Sequence, residues 1–130
     1  MTPTAWADLP NAKHIDRILA DLKKNTDRWS ATRNAASDAT RNAAVDAAWN
    51  AARNAARTAA WNAAWDAVWD AARGAAWGSA RDAILALIAY DDCIYLLDEK
   101  PEYVQMLGLL GNQQAILLYP ACLALQKEMA

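Results

Sequence analysis

The chain has 130 residues, 55% of them apolar and 22% charged, and a formal net charge of −2. That length suits one domain able to bury a real core. The near-neutral balance excludes the basic footprint of a nucleic-acid binder and the charge of an acidic mimic. Residues 1–10, punctuated by Pro3 and Pro10, read as an irregular arm without the basic start and apolar run of a signal peptide. Residues 11–24 predict a short amphipathic helix, with Asn11 as N-cap and Ile15, Ile18, Leu19 and Leu22 on one face. Asn25, Thr26 and Asp27 then give a turn and a fresh cap.

Residues 29–84 repeat one four-residue word. Its first column is Arg or Trp, apart from Ser37 and Val45; Trp29 begins the array. The second column is Asn or Asp, broken by Ser30, Thr58, Gly74 and Gly78, and the last two are Ala with few departures. Ala is the best helix former and alternation of period two is absent, so the array predicts helix and excludes strand. Four residues advance about 400° around an α-helix, so each word drifts by about 40°. A straight helix therefore carries its Ala track around itself, and one neighbour can follow that track for only a few words. As one helix, residues 29–97 would reach about 100 Å, against a radius of gyration of about 14 Å for a compact domain of this size. The expectation is long helices with at most one or two breaks, in an elongated homo-oligomer. Candidate breaks are residues 37–40, Thr58, and the pair Gly74 and Gly78, of which the glycines are the strongest punctuation.

Residues 85–130 have a different composition. The apolar stretch 83–97 should end as helix near Asp98, ahead of Pro101. Residues 101–110 form a short helix closed by Gly111. Asn112 caps a last helix over residues 113–127, which Pro120 should kink. This part, with residues 11–24, supplies most of the Leu and Ile. The predicted fold is all-α, a single-domain bundle of long Ala-rich helices with shorter N- and C-terminal helices docked on them. The longest apolar run, residues 115–125, is too short to cross a bilayer. Cys93 and Cys122 both lie in apolar stretches and read as buried free thiols, which fits a cytoplasmic protein.

The repeated columns carry the candidate site. Trp61, Trp65 and Trp69 are i,i+4 neighbours, with Arg57 one step before and Arg73 one step after, a spacing that permits cation–π stacking. The drift swings the outer two tryptophans about 80° apart, so at least one should reach a boundary. The middle rung, Trp65, is expected to be structural. Trp49 and Trp77, isolated among arginines, are the candidate recognition residues, with Arg53, Arg57 and Arg73 beside them. Asp38 to Arg41 and Asp70 to Arg73 are helical i,i+3 pairs, and Asn50 to Arg53 and Asn54 to Arg57 repeat the spacing with amides. The lone His14 has no acid–base partner in sequence, and helical spacing scatters Asp91, Asp92, Asp98 and Glu99 instead of gathering them around a cation. No catalytic residue, metal or cofactor is expected, and the chain reads as a non-enzyme.

The Ala-Ala-Trp-Asn and Ala-Ala-Arg-Asn words resemble those of the Ala- and Trp-rich tetrapeptide-repeat immunity proteins of bacterial polymorphic toxin systems, and of similar small bacteriophage-encoded proteins. The segments Ala89-Tyr90-Asp91-Asp92-Cys93, Tyr95-Leu96-Leu97-Asp98 and residues 111–120 are similar to the downstream part of those chains. The resemblance implies binding and neutralising a partner protein, a toxin or a host defence component, and assigns no catalytic residues. A second reading of the array is a nucleotide or other small molecule held between Trp and Arg side chains. A third is a purely structural Ala-rich protein.

Overall fold

The structure is a computed structural model that describes residues 6–31 and 38–126. It is all-α: seven α-helices and one 3-10 turn, with no strand among the described residues. None of these helices is long and apolar enough to cross a membrane.

The array does not run as one rod. It forms α3 (Asp38–Ala51), α4 (Ala55–Ala71) and α5 (Gly74–Ala89). Both breaks follow the fourth column of a word. At the first, Asn54 is extended and its side chain accepts from the Arg57 backbone N–H at 2.9 Å, an N-cap that starts α4. At the second, Ala72 and Arg73 are extended and Gly74 takes φ +65°, a left-handed conformation that disfavours a side chain. Of the expected breaks, Gly74 marks a real one, while Gly78 and Thr58 lie inside helices. The break at 52–54 was not among those expected. Residues 32–37 lie outside the described part, and 38–40 are already helical.

Two breaks cure the drift by resetting helix phase before the Ala track has turned away. From Ala44 to Ile84 every fourth-column residue is buried except Ala56, in the first turn of α4. The array thus folds back on itself, and the length that suggested an elongated assembly is absorbed within one chain.

α5 is the hub. Its neighbours are α1 (Ala12–Lys24), α2 (Thr26–Ala31), α3, α4 and α7 (Gln113–Gln126). A helix apolar nearly all round belongs in a core, and α5 buries twelve residues. Its first half is small, with Ala76, Gly78, Ser79 and Ala80 buried; its second half supplies Ile84, Leu85, Leu87 and Ile88. α1 buries Ile15, Ile18 and Leu22, as the amphipathic pattern predicts, and α2 sinks Trp29.

Helix α5 stops at Ala89, short of the predicted Asp98, and a 3-10 turn spans Ile94–Leu97. Its buried end needs partners for the carbonyls that no further turn satisfies. Asn11 donates to the carbonyls of Leu87 (3.0 Å) and Tyr90 (2.8 Å), and the Cys93 thiol lies 3.7 Å and 3.6 Å from those of Ala86 and Tyr90. Arg57 of α4 donates to Ile88. Asn11 therefore serves the end of α5; its side chain makes no cap bond to α1.

α6 (Pro101–Leu109) closes as predicted at Gly111, with φ +97°. The Gly111 N–H bonds Gly108 O and the Asn112 N–H bonds Leu107 O, a Schellman turn. Asn112 then accepts from the Ala115 N–H at 3.0 Å and caps α7.

Candidate functional site: a tryptophan and arginine strip

Five of the tryptophans form one continuous edge-to-face chain across three helices. Trp49 of α3 meets Trp61 of α4 at 5.2 Å between ring centres, and Trp61 meets Trp65 at 5.6 Å. Trp77 of α5 then stands against Trp65 at 4.9 Å and Trp69 at 5.7 Å. All four pairs cross at 80–89°, the arrangement that brings a positive ring edge to a negative ring face. The remaining two tryptophans are structural. Buried Trp6 and Trp29 donate their indole N–H groups to Asp16 and Asp21.

Along α4 the first column rotates out of the core as the drift requires. Trp61 is 3% exposed, Trp65 38% and Trp69 46%, while Trp49 on α3 is 39% exposed. The buried rung is thus the first; Trp65, the middle rung, is 38% exposed and packs edge-to-face between Trp61 and Trp77. Trp77 lies inward, packed among Trp65, Trp69 and Arg81. Its indole nitrogen is buried without a hydrogen-bond partner among the described residues. The nearby aromatic faces can offset part of that loss through N–H to π contact.

Two arginines complete the strip. The Arg73 guanidinium lies 4.1 Å from the centre of the Trp69 ring, and Arg81 lies 4.8 Å from Trp77 and 6.0 Å from Trp65. Arg81 is held there by Asp82, to which its Nη2 donates at 3.0 Å. Asp82 is itself buried and also takes the Arg41 fork from α3, at 2.5 and 2.9 Å. Paired, charge-assisted contacts of this kind are what a buried carboxylate requires. Asp82 is the residue that sequence reasoning missed. It sits in an ordinary second-column position, and only the fold brings Arg41 to it.

Of the five candidate residues, the structure gathers Trp49, Trp77 and Arg73 into the strip. Arg57 is engaged elsewhere, donating to Ile88 O and to both Asp91 carboxylate oxygens at 3.0 and 3.1 Å. Arg53 is exposed in the turn between α3 and α4 and makes no ring contact among the described residues. The short-range pairs are also reassigned. Arg41 reaches Asp82, with the Asp38 side chain outside the described part; Arg73 stacks on Trp69; and Asn54 caps the Arg57 backbone and not its guanidinium.

None of the described groups with a shifted pKa belongs to the strip. Burial pushes the Cys93 thiol up to about 12 and Cys122 to about 11, so both stay protonated near neutrality. His14 is pulled below its ordinary value by burial first, then by Lys13 and Arg17, against Asp98. No cluster of three or more metal-ligating side chains occurs among the described residues. Two polar depressions, one lined by residues 24–28 and one by Tyr90 and residues 111–114, lie away from the strip. Comparison of the chain with protein-family models, with curated proteins and with solved structures finds no match.

Proposed function

We propose that the chain is a non-enzymatic interaction protein of a phage or a bacterial conflict system, which binds and neutralises a partner protein through the Trp/Arg strip. The carrying observation is the half-exposed trio Trp49, Trp65 and Trp69, fixed by edge-to-face packing and flanked by Arg73 and Arg81. Trp and Arg are the residues most enriched at interaction hot spots. Side chains already held in place lose little further freedom on binding. The resemblance of the tetrapeptide words to immunity proteins supports the same reading, with a toxin or a host defence component as the partner.

The test is capture from a lysate of the native host, comparing wild type with a Trp49→Ala/Trp69→Ala variant by quantitative mass spectrometry. The expected result is one protein retained in stoichiometric amount by the wild type and lost by the variant. Retention by both would remove the strip from the interaction. A nucleotide that saturably quenches Trp emission and raises the Tm by mass action would replace the protein partner with a small ligand.

A further inference from the structure

We propose that the outward face of α6 is the contact between two copies of this chain, which pair as a two-fold, antiparallel dimer. α6 rests on α7, turning Val104 inward and bringing Gly108 so close that an added Cβ would meet Ile116 Cγ1 at 3.3 Å. A surface helix ordinarily turns its polar residues to water. Here the exposed side carries Tyr103, Met106, Leu109 and Leu110; Glu102, one turn before Met106, is the single charge of the helix, and exposed Gln105 lies at the edge of this side. Leu109 is 83% exposed and Leu110 77%, and Tyr103 and Met106 are nearly half exposed. Scattered exposed leucines need no explanation, but a contiguous apolar face does. The Schellman turn at Gly111 also fixes both leucines at the helix end, so the face exists before anything covers it.

Area and charge select the occupant. The exposed parts of these four side chains amount to roughly 500 Å², so two faces together would bury about 1,000 Å², the lower bound of a specific interface. An acidic partner finds only Lys100, at the N-cap, and a basic one only Glu102, whereas a second copy finds an apolar match. Crossing two α6 helices antiparallel over Met106 lays Tyr103 of one against Leu109 and Leu110 of the other. The same crossing holds the two Glu102 positions roughly 12 Å apart along the axis, beyond the screening length of about 8–10 Å. Because α6 sits on α7 and not on the helices bearing the tryptophans, such a dimer leaves both strips open and presents two of them.

Light scattering on the full chain at tens of micromolar tests this. The wild type should show twice the 14.2 kDa chain mass, and Leu109→Lys/Leu110→Lys should return it to single-chain mass with its helical spectrum retained. Met106→Cys, at the crossing point, should form an interchain disulfide with oxidised glutathione, while buried Cys93 and Cys122 do not. A wild type at single-chain mass, or a dimer in which Met106→Cys gives no cross-link, would overturn the proposal. So would a dimer that survives the leucine changes and is broken by Trp49→Ala/Trp69→Ala, since the contact would then be the strip.

Discussion

Asp82 joins three parts of the molecule through one side chain. It ties α3 to α5 through Arg41 and sets Arg81 on the face of Trp77. Removing its carboxylate leaves Arg41, largely enclosed, with an unpaired charge, for which about 3–5 kcal/mol is the usual loss. Asp82→Ala should show that loss in urea unfolding, and should also weaken any interaction that needs Arg81 in place. The three rungs on α4 give a second, graded prediction. Trp61→Ala empties a buried site and should cost about 3–5 kcal/mol, whereas Trp69→Ala, at a half-exposed position, should cost less, about 1–2 kcal/mol for its half-buried area and its ring contact with Trp77. Equal losses at the two positions would show that the rotation along α4 does not separate core from surface.

At the level of elements, the informative positions are those where helices stop. Neither Gly74 nor Gly111 has any atom within 4 Å of an added Cβ, so the cost of a side chain there is backbone conformation alone. Gly74→Ala and Gly111→Ala should each lose about 1–2 kcal/mol, and Asn54→Ala about 1 kcal/mol through its cap, all measurable by denaturant midpoints. The two glycines and the Asn112 cap were legible in the sequence because their chemistry is local. The break at Asn54 was not. Arg41-Asn42-Ala43-Ala44 and Arg53-Asn54-Ala55-Ala56 are the same word, yet one lies within α3 and the other starts α4. A repeated word cannot encode different outcomes at its copies. The choice falls to packing, which favours helices short enough to keep the fourth column in the core. The premature end of α5 was hidden for a related reason, since the residues that satisfy its carbonyls, Asn11 and Arg57, lie far away in sequence.

For the whole molecule, the alkaline limit of stability follows from burial. Burial pushes up the thiols of Cys93 and Cys122, whose ordinary value is 9.0, and Tyr90 and Tyr119 move the same way, from 10.0. Above about pH 9 the unfolded chain sheds protons that the folded chain retains, so stability is full below that point and falls as pH rises. Tm should decline between about pH 9 and 11, and less steeply in a Cys93→Ala/Cys122→Ala variant than in wild type. An equal slope would assign the decline to other groups. The site itself was half legible at this scale. The columns named the tryptophans and the 40° drift foretold that the ladder must leave the core, but its joining to Trp49 and Trp77 is a product of three helices meeting.

The resetting of phase at each break also bears on how such a chain can change length. One added word inside α4 would lengthen the helix by about 6 Å and rotate everything beyond it by about 40°. Trp69 would then turn further out and lose Trp77. The same four residues added at the Arg53–Asn54 junction fall where the chain is already non-helical, and α4 and α5 keep their mutual register. Gain and loss of copies by slippage should therefore be tolerated at the two junctions and selected against within the helices. Variants with one extra word at each place would reveal this as a difference in Tm.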